Sequence, residues 1–206
     1  MAEIERPQLY LITPPEIELS RFPGTLAACL DAAPVACLRL ALATTDEDRL
    51  SRAADACREV AHARDVAIVM ESHVPLAARL GLDGVHLTDA SRSVRKTRKE
   101  LGKDAIVGAF CGHSRHDGMT AAEADADYVS FGPVAPTALG DGGYAEPELF
   151  EWWSEMIEAP VVAEGALRDD RIAALAPFVD FFGVGDVVWQ EDAPADALRR
   201  IHALLA

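Results

Sequence analysis

Basic charge is scarce in this sequence. Lys and Arg number 19 against 34 Asp and Glu, giving a net charge of −15. A surface of that sign repels phosphate backbones and anionic membranes, so neither nucleic acid nor a membrane is an expected partner. Paired cysteines are lacking too. Cys29, Cys37, Cys57 and Cys111 form no C-x-x-C, which argues against a disulfide framework or a zinc site. Each sits among apolar residues and reads as a buried free thiol. No apolar run approaches the roughly 20 residues needed to span a bilayer. Met1 to Pro7 is charged and has no apolar run, unlike a signal peptide. Cytoplasm is therefore the expected compartment. Finally, no G-x-G-x-x-G follows the first apolar run, which removes the usual dinucleotide signal.

What the chain does have is repetition. Short apolar runs recur at Leu9–Ile12, Val35–Leu40, Val66–Met70, Gly84–Leu87, Ala105–Phe110, Tyr128–Phe131, Pro160–Ala163 and Phe181–Val184. Continuous runs without clean alternation suit parallel strands covered on both faces. Between them lie segments of helical period. Asp46–Arg64 is the clearest, with Leu50, Ala53, Ala54, Cys57, Val60 and Ala61 on one stripe and Thr45 or Asp46 as its cap. The others are Thr25–Ala32, Val74–Leu80, Ser93–Leu101, Asp117–Ala124, Pro147–Ile157, Asp169–Leu175 and Pro194–Leu205. This alternation is that of an α/β protein. The expected fold is one (β/α)₈ TIM barrel over residues 1–206, a fold that takes about 200 residues when its loops are lean. An open doubly wound sheet is the rival. The loop Ala135–Pro147, with Gly140, Gly142 and Gly143, is the candidate lid.

Several polar residues fall where the strands of such a barrel would end. His86 lies inside the fourth run and reads first as a packed, hydrogen-bonded histidine. His113 and His116 follow the fifth run with Arg115 between them, and as C-terminal loop residues they face the barrel mouth. Glu71, His73, Asp89, Glu164 and Asp186 would join them on an acidic, imidazole-bearing rim. The basic cluster from Arg92 to Lys103 reads as a solvated helix face. Trp152 and Trp153 sit on one helix, where one indole packs inward and the other suits a subunit interface, making a homo-oligomer an expected partner.

Four stretches carry a family resemblance. They are Gly84-Val85-His86-Leu87, Asp127-Tyr128-Val129-Ser130-Phe131-Gly132-Pro133-Val134-Ala135-Pro136-Thr137, Pro160-Val161-Val162-Ala163-Glu164-Gly165 and Phe182-Gly183-Val184-Gly185. In this order, together with Leu9–Thr13 and Cys37-Leu38-Arg39-Leu40, they resemble the thiamine phosphate synthase/TenI-like family. The resemblance implies a barrel that joins a pyrimidine methyl diphosphate to a thiazole phosphate and releases diphosphate, with Mg²⁺ as cofactor and small phosphorylated thiazole and pyrimidine ligands as partners. Residue by residue it implies that Arg39 and Thr137 contact ligand. Gly165 and Gly185 would hold a phosphate, and Glu71 and Asp89 would ligate the metal. His113 and Arg115 are the further catalytic candidates at the mouth.

The departures from the family's pattern are specific. No Lys or Arg follows Thr137 before Arg168, although the family has a lysine there to meet the diphosphate. Leu40-Ala41-Leu42 replaces a basic residue after Arg39, and Met70-Glu71 replaces Asn-Asp. Thr88-Asp89-Ala90-Ser91 replaces Gly-Gln-x-Asp, so the second metal ligand is either Asp89, shifted, or lost. Glu164 and Asp186 are carboxylates where the family is apolar, and they would oppose a phosphate unless they point away. Pro133 stands where TenI-like tautomerases have histidine. Three readings remain open: a synthase in which Arg115 substitutes for the lysine, a non-catalytic phosphate-ligand binder, and an isomerase using His113 or Glu71 as base.

Overall fold

The computed structural model describes residues 6–137 and 142–205. Its strands are β1 (Gln8–Ile12), β2 (Val35–Leu40), β3 (Ala67–Glu71), β4 (Gly84–Leu87), β5 (Ile106–Phe110), β6 (Tyr128–Phe131), β7 (Val161–Glu164) and β8 (Phe181–Val184). All pair in parallel and in chain order, and β1 pairs with both β2 and β8. The sheet therefore closes, and the open-sheet rival is excluded. The helices are α1 (Phe22–Ala32), α2 (Glu47–His62), α3 (Val74–Leu80), α4 (Val94–Leu101), α5 (Arg115–Glu123), α6 (Pro147–Met156), α7 (Asp169–Leu175), α8 (Asp186–Trp189) and α9 (Pro194–Leu204).

Local chemistry explains where the elements begin. The Asp46 carboxylate accepts from the Asp48 and Arg49 amides, both at 3.0 Å, and so caps α2 as its position suggests. Helix α1 starts three residues before the expected Thr25, because Pro23 in its first turn has no N–H to satisfy and a φ already set for helix. Gly81 ends α3 at φ +63°, a conformation that costs glycine little. Helix α8 leaves no periodic trace in the sequence. At 4 residues it is too short to show a period.

One device recurs at the bottom of the barrel. Asp83, Asp127 and Asp180 each stand immediately before an even strand. Their carboxylates accept the backbone N–H of Ile68, Val107 and Val161 respectively, each at 2.7 Å. Each carboxylate satisfies an amide near the start of the preceding odd strand and so pins neighbouring strands in register. Arg98 clamps one of these, donating to Asp127 at 2.5 Å and to the Asp125 carbonyl.

The apolar residues divide into two cores. The larger lies between sheet and helices, where Phe131, Phe150 and Trp153 stack edge to face around Gly118. The smaller fills the barrel itself with Tyr10, Cys37, Val69, Tyr128 and Val162. Space there is made by glycine. A Cβ on Gly108 would lie 2.0 Å from Tyr128 Cζ, so no other residue lets that ring cross the interior. All four cysteines are buried and free, and burial pushes Cys29 to about 11 and Cys37, Cys57 and Cys111 to about 12.

Candidate active site

A cavity of about 780 Å³ opens at the C-terminal end of the strands. Its wall includes Thr13, Arg39, Glu164, Gly165, Arg171 and Gly185, so it takes in the loops after β7 and β8. This is the end of a barrel where loops of different strands converge and where ligand chemistry is found.

Beneath the cavity runs a buried polar chain. The Arg39 guanidinium donates through Nη1 to Glu164 Oε2 at 2.9 Å and through Nη2 to Glu164 Oε1 at 3.1 Å. This is a two-pronged pair, fully compatible with the shape of both groups. Nη1 also meets His86 Nε2 at 2.6 Å. A guanidinium can only donate, so His86 Nε2 accepts and the proton sits on Nδ1, which donates to the Tyr128 hydroxyl oxygen at 2.9 Å. Tyr128 in turn shares a 2.6 Å hydrogen bond with Tyr10. Arg39 Nε lies 3.5 Å from Glu71 Oε2, an ion pair without hydrogen-bond geometry. Five strands thus contribute to one connected network from Tyr10 up to Glu164, and Glu71 adds a sixth.

The electrostatics follow from burial. Burial alone would lower the Arg39 pKa, but the facing Glu164 carboxylate with its hydrogen bonds, joined by Tyr10 and Tyr128, raises it and keeps the guanidinium charged. Burial, reinforced by Arg39, pushes His86 well below its ordinary value, so it is neutral. Tyr10 and Tyr128 are pushed up, chiefly by burial. Burial also raises Glu71, against the opposing pull of Arg39. The Ser130 Oγ is buried at the inward face of β6 without a partner among the described residues.

The sequence candidates are not all brought together. Arg39, Gly165 and Gly185 line the cavity, and Glu71 stands beside Arg39. Thr137 follows the lining residues Ala135 and Pro136 and is half-buried. Asp89 opens elsewhere: it accepts from Ser93 Oγ at 2.6 Å and lines a separate cavity of about 370 Å³ with Ser72, Thr88 and Lys96. His113 is exposed, with its ring against Gly143, and His116 is exposed on α5. Arg115 is turned away from the cavity. Its guanidinium lies 4.8 Å from the centre of the Trp152 ring, and Nη2 donates to the Glu148 carbonyl at 3.2 Å. Trp153 packs inward as expected, donating Nε1 to the Ala159 carbonyl. The candidate lid includes residues 138–141, which lie outside the described residues.

Glu164 is the largest revision. As a carboxylate beside a phosphate it reads as an obstacle, yet its charge is spent on Arg39. Tyr10, Tyr128 and Ser130 were not singled out by sequence. Their signal is a polar residue at the same alternating positions of the strands as Arg39, His86 and Glu164. The metal candidates can be judged in the same terms. Mg²⁺ wants near-octahedral oxygen donors, commonly one or two carboxylates with waters and substrate phosphate. Here Glu71 leans on a guanidinium and Asp89 faces another cavity. Among the described residues no three His, Cys, Asp or Glu gather to hold a metal. As arranged, Glu71 and Asp89 do not fit one shared ion.

Comparison with known proteins agrees with the geometry. The chain is 42% identical over 201 residues to the thiamine-phosphate synthase of Rhodospirillum centenum, covering 96% of this chain and 97% of that one. It is 39% identical to the thiamine-phosphate synthase of Erythrobacter litoralis, covering 95% and 94%. Among solved structures, the thiamine phosphate pyrophosphorylase of Pyrococcus furiosus superposes with a TM-score of 0.84 at 20% identity, over 98% of this chain and 96% of that one. That likeness speaks for the fold, whereas the sequence identities reach further. With the thiamine monophosphate synthase family model matching from Leu9 to Asp186, the chain belongs to that family.

Proposed function

We propose that this barrel makes thiamine phosphate from a pyrimidine methyl diphosphate and a thiazole phosphate, as a step of thiamin biosynthesis. The observation that carries the reading is 42% identity with a thiamine-phosphate synthase over nearly the whole chain, together with a mouth cavity bounded by the loops after β7 and β8. In this reaction the bond between the pyrimidine methylene carbon and the diphosphate oxygen breaks, and the diphosphate leaves with the electron pair. The thiazole nitrogen then donates its lone pair to that carbon and forms the new C–N bond.

The chain's own residues serve this in distinct ways. The loops after β7 and β8 take the phosphate end of the thiazole, which fixes its nitrogen toward the barrel axis. The Arg39–Glu164 pair forms a rigid, internally neutral floor, held by His86 below. Glu71, 3.5 Å from Arg39 Nε, adds a carboxylate at the edge of that floor.

One observation favours a second reading, a family member that binds thiazole phosphate or thiamine phosphate without turnover. Arg39 is already neutralised by Glu164, and no lysine follows Thr137 to meet a leaving diphosphate. A single assay separates the two. Purified protein is given both substrates in a Mg²⁺-containing buffer, and thiamine phosphate is read by its fluorescence after oxidation. Product well above the no-enzyme control supports the synthase. A folded protein that forms none, yet is stabilised thermally by thiazole phosphate, supports the binder.

A further inference from the structure

The mouth cavity is lined by three arginines, and their circumstances differ. Arg39 is held two-pronged by Glu164. Arg168 is exposed and loosely paired, its Nε 3.5 Å from Asp170. Arg171, on the first turn of α7, makes no ion pair among the described residues, and its Nε is buried without any hydrogen-bond partner. A shielded, unpartnered guanidinium N–H on a cavity wall is an unusual group, because buried donors are nearly always satisfied. Arg171 also lines the cavity, so its charge is available to an anion that enters there.

The surroundings say which kind. Among the described residues the cavity's other charges are Glu164, Asp186 and Glu191. Glu164 is consumed by Arg39, and Glu191 lies 3.8 Å from Arg200. Asp186 is exposed and carries no cation partner among the described residues. An anion entering beside Asp186 therefore needs a cation, and Arg171 is the one left uncommitted. The loop preceding it has two consecutive left-handed residues, Gly165 at φ +74° and Ala166 at φ +55°. They turn the chain sharply between β7 and Arg168. The planar fork of a guanidinium matches a phosphate oxygen pair better than an ammonium does.

We propose that Arg171, with Arg168 beside it, is the side-chain cation that receives the phosphate monoester of the ligand at this cavity. The inference rests on the phosphorylated-ligand reading above but not on turnover. The Arg171 side chain is a binding group, and its effect is expected in affinity for the phosphorylated partner.

The test uses the full chain and two variants, Arg171→Gln and Arg171→Lys, each checked for an unchanged thermal midpoint. Isothermal titration is run with inorganic phosphate, with thiazole phosphate and with the unphosphorylated thiazole alcohol. Arg171→Gln is expected to weaken both phosphorylated probes by about 10-fold to 100-fold and to leave the alcohol unchanged, as loss of a charge-assisted pair should. Arg171→Lys keeps the charge and loses the fork, so a smaller loss of about 3-fold to 10-fold is expected. A third variant, Arg168→Gln, is used should Arg171→Gln fold poorly, with a loss of about 2-fold to 5-fold expected from an exposed cation. Thiazole phosphate bound by folded Arg171→Gln within twofold of the unaltered chain overturns the inference, as does an unaltered chain that binds neither phosphorylated probe. The two claims fail separately. Arg171-dependent phosphate binding with no thiamine phosphate formed sinks the synthase and keeps this site. Thiamine phosphate formed with an unchanged KM for thiazole phosphate in Arg171→Gln does the reverse.

Discussion

Glu164→Leu removes one half of the pair that spans the barrel interior, and its cost can be worked from the structure. The Arg39 side chain is 7% exposed and that of Glu164 is 11% exposed. This is not a surface ion pair, whose loss costs about 0–1 kcal/mol. Deleting one partner of a buried pair costs about 3–5 kcal/mol, because the remaining charge is stranded. Here the stranded guanidinium keeps His86 Nε2 at 2.6 Å and Glu71 at 3.5 Å, which offset part of the loss. The expected destabilisation is therefore about 2–4 kcal/mol for Glu164→Leu, and toward the lower end for Glu164→Gln, whose amide oxygen still accepts. At roughly 2–4 °C per kcal/mol for a chain of this size, a loss near 3 kcal/mol lowers Tm by about 6–12 °C. Urea denaturation is the cleaner assay, since a fall in midpoint at constant slope reports stability alone. The double change Arg39→Met with Glu164→Leu should recover to within about 1 kcal/mol of the unaltered chain, since paired apolar replacements of buried ions are often neutral. A Glu164→Leu loss below about 1 kcal/mol at unchanged slope would mean that Arg39 finds water or another acceptor, and the floor of the cavity would have to be rebuilt without the pair.

Four further outcomes are expected. Below pH 6.5 the unfolded chain protonates His86 while the folded chain, with its pKa depressed, does not. Stability should therefore fall with falling pH by up to about 1.4 kcal/mol per unit over that window. Denaturation midpoints across pH should show this limb flattened in His86→Gln, which can still accept from Arg39 and donate to Tyr128; an unchanged limb would mean that another group sets it. Glu71 works in the opposite sense near its ordinary 4.5, since a raised carboxyl favours the folded state when protonated. Asp127→Ala strands the Val107 amide and releases Arg98, at a cost of about 1–3 kcal/mol read by thermal melting; a loss within 0.5 kcal/mol, the range of an ordinary surface change, would show the strand-start device to be dispensable. Arg115→Ala should lose about 0.5–1 kcal/mol of contact with Trp152 and leave affinity for thiazole phosphate unaltered in titration; weakened binding would return Arg115 to the mouth.

Much of the fold can be read from the chain because the relevant signals are local. Val35–Leu40, Gly84–Leu87, Tyr128–Phe131 and Phe181–Val184 are strands with the very ends their apolar runs suggest. Val74–Leu80 and Asp169–Leu175 are likewise helices at the expected bounds. Elsewhere the ends differ by one to three residues, most at the start of α1, where Pro23 sets the first turn. Glu71 and Glu164 are the instructive cases: each ends a strand as a polar residue, so apolar counting stops one short of it. Chain closure is another matter. Nothing in β1 alone says that Gln8 pairs beside Phe181, and only the succession of eight similar units pointed to it.

The site is legible only in part, because its chemistry depends on that closure. Arg39 and Glu164 are 125 residues apart and come from β2 and β7, which are not neighbours in the sheet. They meet because inward-facing side chains of a closed barrel share one small interior, which a charge can enter only if another cancels it. From sequence, Glu164 could be placed next to Gly165 and the phosphate loop, where its charge looks hostile. Only the closed interior turns it into the partner of the one cation the strands contribute. The same closure explains Arg115. Its place at the start of α5 puts it at the correct end of the barrel, but on the outer ring, where Trp152 of α6 is the nearer surface. Position along the chain gives the end of the barrel on which a residue stands. Whether it faces the axis or the neighbouring helix is decided by packing, and for a cation that difference separates a ligand-binding group from a surface contact.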